Sequence, residues 1–365
     1  MNAGTHESLS QLRALVTGGA GFIGSALCRY LVDRVGLAVL NVDKLTYAAS
    51  LPSLDAISDR ENYRFVRADI ADAHRMSSLI SDFSPDVIIH LAAETHVDRS
   101  IECASLFIQT NVVGTSILLD LATQFWAGLP PSRRHRFRFL LVSTDEVYGS
   151  LSLDDPAFTE ETPYDPSSPY AASKAAADHL AGAWHRTYGL PIIISNCSNN
   201  FGPYQFPEKL IPLTILNALE GKVVSVYGQG MNIRDWLYVD DHVRALLKIL
   251  QHGRLGEKYN IGARNERTNL QLVQAVCHHV DQIINDQRER KSLIQFVADR
   301  PGHDLRYAID PSKAEQELGW LPMEPFDSAL ARTVRWYIDN RGWWEPIRQA
   351  VYSGERLGKS RRITP

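Results

Sequence analysis

The chain has 365 residues and a formal net charge of -4, with 44% hydrophobic and 22% charged residues. These values are typical of a globular protein with a large core and room for two lobes. They exclude a global basic field for nucleic acid or an anionic membrane, and no apolar run is expected to reach the length of a membrane span. The four cysteines lack CxxC spacing, which favours reduced thiols in a cytoplasmic protein over disulfides or a metal site.

The first half of the chain alternates apolar strand patterns with helical patterns. After the polar start, 1–12, which lacks the apolar core of a signal peptide, strands are predicted at 12–17, 37–43, 63–69, 86–91, 138–143 and 191–195. Residues 22–35 have helical spacing of apolar side chains. The alternation predicts an α/β fold with a doubly wound parallel sheet covered on both faces.

After residue 200 the pattern changes. Residues 201–207 resemble a loop, 210–220 a helix, and 235–250 a strand followed by a helix. We therefore predict a nucleotide-binding domain at 11–200, rejoined by about 235–262, and a smaller α/β lobe at 201–365 that mainly binds substrate. The polar stretch 281–292 is predicted to be a surface connection, and 353–365 a frayed tail.

A glycine loop follows the first strand. Gly18, Gly21 and Gly24 have G-x-x-G-x-x-G spacing between a strand and a helix, and Asp43 closes the second strand. Glycine lets the backbone approach a pyrophosphate at the helix N-terminus, and a carboxylate at the strand end accepts ribose hydroxyls while repelling a 2′-phosphate. The pattern predicts a Rossmann-type site for NAD rather than NADP; a ligand-free glycine turn is the alternative.

Tyr170 and Lys174 lie four residues apart, so on a helix they share a face. A free tyrosine has a pKa of about 10. We expect a nearby ammonium and a nicotinium ring to lower that pKa, which would let Tyr170 take a proton from a hydroxyl. Chance pairs of this spacing are common on surfaces, and the preceding Ser143-Thr144 at a strand end favours the catalytic interpretation.

Two acidic residues, Asp145 and Glu146, follow Thr144 directly. A simple dehydrogenase needs neither, whereas elimination of water needs a base for a carbon-bound proton and an acid for the departing hydroxyl. The alternative is that one carboxylate caps the following turn and the other faces water.

Together these residues resemble the active site of the nucleoside-diphosphate-sugar 4,6-dehydratases, in the extended short-chain dehydrogenase/reductase superfamily, and specifically the branch that acts on dTDP-glucose. The resemblance extends over most of the chain, through the segments Asp43–Tyr47, Leu91–Ser100, Thr110–Asn111, Cys197–Asn200, Pro203–Leu210, Asn232–Trp236 and Arg300–Asp304. Phe201 departs from the family pattern, where tyrosine is frequent, so a hydrogen bond near the substrate is expected to be altered, with no catalytic role removed.

The resemblance implies a role for each matching residue. Tyr170 would deprotonate the C4 hydroxyl, Glu146 would remove the C5 proton, and Asp145 would protonate the departing C6 hydroxyl. It implies tightly held NAD, contacted by Phe22, Ile23, Asp43, Lys44, Leu45, Thr46, Asp69, Ile70, Leu91, Ala92, Ala93, Thr110, Tyr170, Lys174 and Asn200. It implies substrate contacts from Thr95, Thr144, Asn199, Lys209, Leu210, Arg234, Asn269 and His303.

Several alternatives stay open at this point. Asp69 could instead cap a helix, Arg234 could pair with Asp235 or Asp240, and His303 could be an ordinary satisfied histidine. The enzyme could be another NAD-dependent nucleotide-sugar dehydratase, an epimerase or a decarboxylase of the same superfamily, and a non-catalytic nucleotide-binding protein is a further alternative. GDP-mannose 4,6-dehydratase generally prefers NADP, which Asp43 disfavours.

The resemblance also implies a homodimer, formed by helix 102–126 and the helix that carries Tyr170 and Lys174. The first helix has apolar residues at Leu106, Ile117, Leu118 and Leu121, although packing on its own sheet would explain them equally well.

Overall fold

A computed structural model of the chain describes residues 12–299, 302–352 and 354. The predicted polar N-terminal segment, apart from Leu12, lies outside the described residues. So do Arg300 and Pro301 of the motif at 300–304, and the predicted tail apart from Gly354.

Strands and helices alternate through the first two thirds of the chain. The strands are β1 (Arg13–Thr17), β2 (Ala38–Asp43), β3 (Tyr63–Arg67), β4 (Val87–His90), β5 (Arg138–Thr144), β6 (Ile192–Cys197), β7 (Asn199–Phe201), β8 (Val224–Tyr227), β9 (Ile233–Tyr238), β10 (Lys258–Ile261), β11 (Glu266–Thr268) and β12 (Ile294–Val297). The helices are α1 (Phe22–Tyr30), α2 (Ala73–Phe83), α3 (Val97–Glu102), α4 (Ala104–Phe107), α5 (Thr115–Ala127), α6 (Pro131–Arg136), α7 (Pro169–Tyr188), α8 (Leu210–Glu220), α9 (Val239–His252), α10 (Asn269–Ile284), α11 (Ser312–Leu318), α12 (Phe326–Asp339) and α13 (Arg341–Ala350).

A parallel sheet of seven strands forms the centre of the molecule, in the order β10-β6-β5-β4-β1-β2-β3. Successive residues of each strand alternate between two apolar clusters; for example, Val16 packs in one and Leu15 in the other. The sheet is therefore covered on both faces, which confirms the predicted doubly wound fold. The strand order reverses between β1 and β4, and ligands of such sheets bind in the crevice at that point.

A smaller lobe adjoins the carboxyl end of the sheet. It contains a three-stranded sheet, β11-β9-β7, and the pair β12-β8, and its apolar core gathers residues of β9, α8, α10 and α12. Strand β7 follows β6 after one residue and pairs with β9, so this short connection joins the lobe to the central sheet. Strand β10 returns to the central sheet and pairs with β6.

The helix predicted at 102–126 is not regular. It divides into the end of α3, then α4, a π-helical stretch at Ile108–Gly114, and α5. The wider stretch coincides with Gly114, where a Cβ atom would lie 2.7 Å from the Ile70 side chain. Close packing against the strand-end residue Ile70 is a long-range contact, which helical periodicity does not reveal.

We expected no stretch of the chain to reach the length of a membrane span. Judged by length and composition only, that expectation is wrong. The continuous helical segment Ala104–Ala127 has 24 residues and enough apolar character to pass that test. Leu118, Leu119 and Ala122 of this segment are fully buried against the central sheet. The second half of the segment therefore packs in the core of the central domain, and 44% of the apolar window is buried.

The predicted surface connection at 281–292 is exposed over most of its length, but it departs from a simple solvated loop at its start and at Arg290. Helix α10 continues to Ile284, and Arg290 is only 4% exposed. Its guanidinium pairs with Asp281 at 2.8 Å and Asp286 at 2.9 Å and donates to the Ala218 carbonyl at 3.1 Å. Buried charges need partners of this kind, and a polar sequence pattern cannot distinguish a solvated charge from a paired one.

Candidate active site

The glycine loop lies between β1 and α1, at the reversal of strand order. Gly18 has a φ of +74°, and a Cβ atom there would lie 2.6 Å from the Ala92 amide nitrogen. A Cβ atom at Gly24 would lie 2.2 Å from the Gly18 carbonyl oxygen. Because side chains cannot be accommodated, the loop stays tight against the residues that follow β4, and Phe22 and Ile23, which open α1, line the crevice beside it.

Asp43 ends β2 beside this loop and is 8% exposed. Its Oδ2 accepts a hydrogen bond from the Ala20 amide at 3.0 Å and its Oδ1 one from the Leu45 amide at 2.8 Å. Burial raises the pKa of Asp43, while these two amides and Lys44 oppose the rise. The carboxylate is therefore fixed where a ribose would meet the loop.

A cavity of about 280 Å³ runs from the glycine loop to the end of β5. Most of the residues predicted to bind the cofactor line it: Gly18, Gly21, Phe22, Ile23, Gly24, Asp43, Lys44, Thr46, Ile70, Leu91, Ala92, Ala93, Thr110, Tyr170, Lys174 and Asn200. Leu45 and Asp69 are not part of this lining. Leu45 packs against the apolar core. Asp69 accepts a hydrogen bond from the Ala71 amide at 2.9 Å and lies 3.9 Å from the Lys44 ammonium, whereas the cap of α2 is Asp72, so Asp69 is not the helix cap.

The five predicted catalytic residues, Thr144, Asp145, Glu146, Tyr170 and Lys174, line the same cavity. Thr144 is the last residue of β5, so Asp145 and Glu146 open the next turn. Tyr170 and Lys174 share the buried face of α7, which begins at Pro169 behind the cap residue Ser168. The Thr144 hydroxyl donates to Asp145 Oδ1 at 3.3 Å and makes a further hydrogen bond with Tyr170.

The protein surroundings raise the pKa of Tyr170, contrary to the expectation for this residue. Burial is the main cause, and the Glu146 carboxylate adds to it, while the hydrogen bond with Thr144 opposes the rise. The Lys174 ammonium is directed elsewhere and donates to the Val142 carbonyl at 2.8 Å. Within the described protein, a phenolate at Tyr170 is thus disfavoured, and further positive charge would be required to stabilise it.

Asp145 has the environment of a carboxylic acid rather than a carboxylate. Burial raises its pKa well above the ordinary value, and the negative charges of Glu146 and Asp235 act in the same direction. Arg234 and the Thr144 hydroxyl oppose the rise. A carboxyl group that stays protonated near neutral pH can act as a general acid.

A second cavity of about 500 Å³ lies between the central sheet and the smaller lobe. Its lining includes seven residues predicted to bind substrate: Thr95, Asn199, Lys209, Leu210, Arg234, Asn269 and His303. The eighth, Thr144, lines the first cavity. Thr95, Glu146, Asn199 and Lys209 line both cavities, so the two spaces adjoin at the catalytic residues.

Arg234 is held in place by aromatic and backbone contacts. Its guanidinium lies 4.1 Å from the centre of the Tyr307 ring and donates to the Asp304 carbonyl at 3.0 Å. Asp235 faces another direction, accepting hydrogen bonds from the Ala263 and Asn265 amides at 3.0 and 2.7 Å. This geometry favours Arg234 as a ligand group over the proposed pairing with Asp235.

The family resemblance implied a place for Phe201 near the substrate, but Phe201 lines neither cavity. It is 1% exposed and packs against the rings of Trp236, Tyr238 and Phe326 in the core of the smaller lobe. A hydroxyl at this position would therefore be buried among aromatic rings, and phenylalanine removes the need to satisfy it.

Sequence reasoning missed a cluster of four side chains, here called the clasp, of which Phe206 and Glu208 line the first cavity: Tyr47, Arg99, Phe206 and Glu208. The Tyr47 hydroxyl donates to Glu208 Oε1 at 2.8 Å, and Arg99 Nε donates to Oε2 at 3.3 Å. The Arg99 guanidinium also lies 3.7 Å from the centre of the Tyr47 ring, and Phe206 packs edge-on to it. Each of these residues lies in a motif of the family, but each contacts a residue more than 100 positions away in the sequence, so its role is not visible locally.

Two further acidic residues were missed. Glu94 is 4% exposed, and its carboxylate pairs with the Lys44 ammonium at 3.5 Å. The same ammonium donates to the Thr110 hydroxyl at 2.8 Å. Asp178 lies one helical turn beyond Lys174 on α7 and is 3% exposed. The spacing of Tyr170, Lys174 and Asp178 was visible in the sequence, and it could have indicated that all three share one face.

The fold and the site define an NAD-binding enzyme of the extended short-chain dehydrogenase/reductase type. Residues 15–333 match the family model described as GDP-mannose 4,6 dehydratase. The chain is 59% identical to a probable dTDP-glucose 4,6-dehydratase of Sinorhizobium fredii, covering 95% of this chain and 99% of the relative. It is 53% identical to a dTDP-glucose 4,6-dehydratase of Escherichia coli, with the same coverage.

Among solved structures, a dTDP-glucose 4,6-dehydratase from Streptomyces venezuelae with NAD bound superposes with a TM-score of 0.83, at 47% identity, covering 92% of this chain and all of that one. The chain belongs to the dTDP-glucose 4,6-dehydratase family. These findings confirm the predicted fold, the NAD cofactor and the enzyme class, a hydro-lyase.

Proposed function

We propose that this chain is a dTDP-glucose 4,6-dehydratase, which converts dTDP-glucose into dTDP-4-dehydro-6-deoxy-glucose. The observation that carries the proposal is the acidic pair Asp145 and Glu146 at the junction of the two cavities, with Asp145 favoured in its protonated form. An epimerase or a decarboxylase of the same fold needs Tyr170 and Lys174 but has no use for an acid and a base at positions 145 and 146.

The first cavity fits NAD. The glycine loop offers amides to the pyrophosphate, Asp43 offers a carboxylate to the adenosine ribose, and Tyr170 and Lys174 line the end where the nicotinamide would lie. When bound, NAD supplies the hydride acceptor for C4 and the donor for C6, and its ring charge favours the Tyr170 phenolate. Because it is regenerated in each turnover, NAD is held tightly.

Tyr170 takes the proton of the C4 hydroxyl, and Thr144, hydrogen-bonded to Tyr170, orients that hydroxyl. Formation of the C4 ketone makes the C5 proton acidic. Glu146 removes it, and Asp145 donates its own proton to the C6 hydroxyl, which leaves as water. Glu146 then returns a proton to C5. Tyr170 releases to solvent the proton that it took from the C4 hydroxyl, and Asp145 takes up one proton from solvent, so the cycle has no net change in protons.

The lobe formed mainly by residues 201–365 binds the substrate in the second cavity. Arg234 and Lys209 have the charge and donors to hold a diphosphate, and Lys209 already donates to the Thr95 carbonyl at the boundary of the cavities. Thr95, Asn199, Leu210, Asn269 and His303 complete the contacts around the sugar and the nucleoside. Residues 11–200, rejoined by about 235–262, form the NAD-binding domain.

The enzyme acts in the cytoplasm as a homodimer. Support for a dimer comes from the helical segment before α5, where four apolar side chains, Ile101, Leu106, Ile108 and Val113, are between 37% and 47% exposed. Leu118 of α5 packs against its own sheet and does not contribute to this face. A protein that sediments as a monomer at micromolar concentration would rule out the dimer.

The test of the proposed activity is incubation of the purified protein with dTDP-glucose, UDP-glucose and GDP-mannose in separate reactions, without added reductant. Mass spectrometry should show loss of one water from dTDP-glucose alone. Water loss from another sugar would keep the chemistry and change the substrate. Conversion of dTDP-glucose to its galacto isomer, with unchanged mass, would identify an epimerase, and no reaction with any sugar would favour the non-catalytic alternative.

A further inference from the structure

Asp178 lies on the buried face of α7 that also carries Tyr170 and Lys174. Its Oδ2 accepts three hydrogen bonds, from the Ser143 hydroxyl at 2.9 Å, the Tyr164 hydroxyl at 3.0 Å and the Asn196 amide at 3.1 Å. Ser143 belongs to β5 and Asn196 to β6. The carboxylate therefore ties the catalytic helix to the two strands whose ends carry the active site.

These bonds connect Asp178 to the catalytic turn itself. Ser143 immediately precedes Thr144, and the same Asn196 amide group that donates to Asp178 donates to the Thr144 carbonyl at 3.2 Å. Three donors on one oxygen favour the ionised carboxylate, because a carboxylate is the stronger acceptor. Burial opposes ionisation by raising the pKa of Asp178, and Lys174 and the three donors oppose that rise.

Lys174 needs a negative partner. It is 5% exposed, and its ammonium has a hydrogen bond to the Val142 carbonyl. Burial lowers the pKa of Lys174, and Asp178 is the strongest opposing influence. The other titratable groups facing this pair supply no comparable anion: His90, with a pKa lowered to about 3, is neutral, and Cys197, with a pKa raised to about 12, is a thiol.

On the far side of Asp178 lie Tyr148, Tyr164 and Lys258. Burial raises the pKa of both tyrosines, so they remain neutral, and the Lys258 ammonium lies 4.6 Å from the centre of the Tyr164 ring. Lys174 and Asp178 lie one helical turn apart on the buried face of α7, and Asp178 Oδ1 has no hydrogen-bond partner among the described residues. The free oxygen of this carboxylate therefore leaves its charge available to the buried ammonium without a direct ion pair.

We propose that Asp178 is a positioning residue that keeps Lys174 in its ammonium form and holds the Tyr170–Lys174 helix against the end of β5. This inference rests on the proposed function for the roles of Tyr170 and Lys174, but the protonation of Lys174 can be measured without any turnover. Asp178 itself lines neither cavity, so it acts through Lys174 and not on the substrate.

The test is titration of the Lys174 side chain in the folded protein labelled with 13C at the lysine ε-carbon. Its NMR signal is assigned by its absence in Lys174→Arg. In Asp178→Asn, which keeps the size of the side chain and removes its charge, the titration midpoint of Lys174 should fall by about one pH unit or more. Tyr164→Phe is the matched control, because it removes one hydrogen bond to Asp178 and keeps the charge, so its midpoint should stay at the wild-type value.

An unchanged Lys174 midpoint in Asp178→Asn would overturn the inference, as would an equal fall in Tyr164→Phe. If Asp178→Asn does not fold, Asp178→Glu gives the second measurement. The longer side chain disturbs the packing but keeps the charge, so the midpoint should remain near wild type, and a fall as large as that expected for asparagine would contradict the proposal. A protein that titrates as expected but fails to dehydrate dTDP-glucose would refute the proposed function alone.

Discussion

Replacing Tyr47 with phenylalanine should make the protein lose NAD faster. Tyr47 lies four residues after Asp43, in the loop that follows β2, and its hydroxyl donates to Glu208 at 2.8 Å. Glu208 lines both cavities and precedes Lys209, so this bond fastens the start of the smaller lobe over the cofactor site. Burial and the Glu208 carboxylate raise the pKa of Tyr47, which keeps it a donor.

The size of the effect follows from the charge and burial of Glu208, whose side chain is 0% exposed. A hydrogen bond to a charged group contributes roughly 1.5–3 kcal/mol. If the bond exists only while the clasp is closed, its loss should raise the rate of NAD release roughly 10- to 150-fold. Arg99 still donates to Glu208 in the variant, so the carboxylate keeps one partner and the protein should fold.

The assay is the rate at which bound NAD exchanges with an excess of isotopically labelled NAD, followed by mass spectrometry after rapid gel filtration. Tyr259→Phe is the matched control, because Tyr259 also donates to a glutamate, Glu317, at 2.9 Å, but lines neither cavity. Its rate should equal that of the wild type. Equal exchange rates in Tyr47→Phe and the wild type would refute the argument, as would equally fast exchange in both variants.

Three further predictions concern the loop, the acid and the dimer face. Gly24→Ala should lower both NAD content and melting temperature, since its Cβ would lie 2.2 Å from the Gly18 carbonyl; full retention of NAD would contradict the geometry. Asp145→Asn should lower kcat for water loss about 100- to 10,000-fold. The pKa of Asp145 is raised in the folded protein above its ordinary value of 3.8, so the neutral carboxyl group contributes stability below pH 3.8, and this contribution is lost as the pH rises through the pKa of the folded state. Asp145→Asn should therefore resist urea better than the wild type at pH 8, but not at pH 4. A variant less stable at pH 8 would show that the carboxylate is favourably paired. Leu106→Asp should give a folded monomer by sedimentation if its exposed face is the dimer contact, and an unchanged mass would exclude that face.

The central sheet was predictable because its signals are local. Apolar runs of strand length, the glycine spacing and Asp43 at a strand end all depend on neighbouring residues, and the fold followed from their order. Helix α8 was likewise predicted with its observed bounds, Leu210–Glu220, because its apolar run ends at a glycine with a left-handed conformation.

The elements that escaped prediction depend on contacts between distant residues. The clasp joins Tyr47 to Glu208, Arg290 is buried against the Ala218 carbonyl, and the π-helical stretch that ends at Gly114 packs against Ile70. The environment of Tyr170 was misjudged for the same reason. Lys174 is close in sequence, but its ammonium is directed to Val142 on the neighbouring strand, and the largest effect on the Tyr170 pKa is burial.

The most direct test of the proposed chemistry is incubation of dTDP-glucose with the protein in deuterated water, followed by mass spectrometry and NMR of the product. We expect loss of one water together with one deuterium at C5, since Glu146 removes that proton and returns another from solvent. In Glu146→Gln both changes should disappear together. Water loss without deuterium at C5 would contradict the assignment of a solvent-exchanging base, and deuterium uptake with unchanged elimination in Glu146→Gln would show that another residue removes the proton.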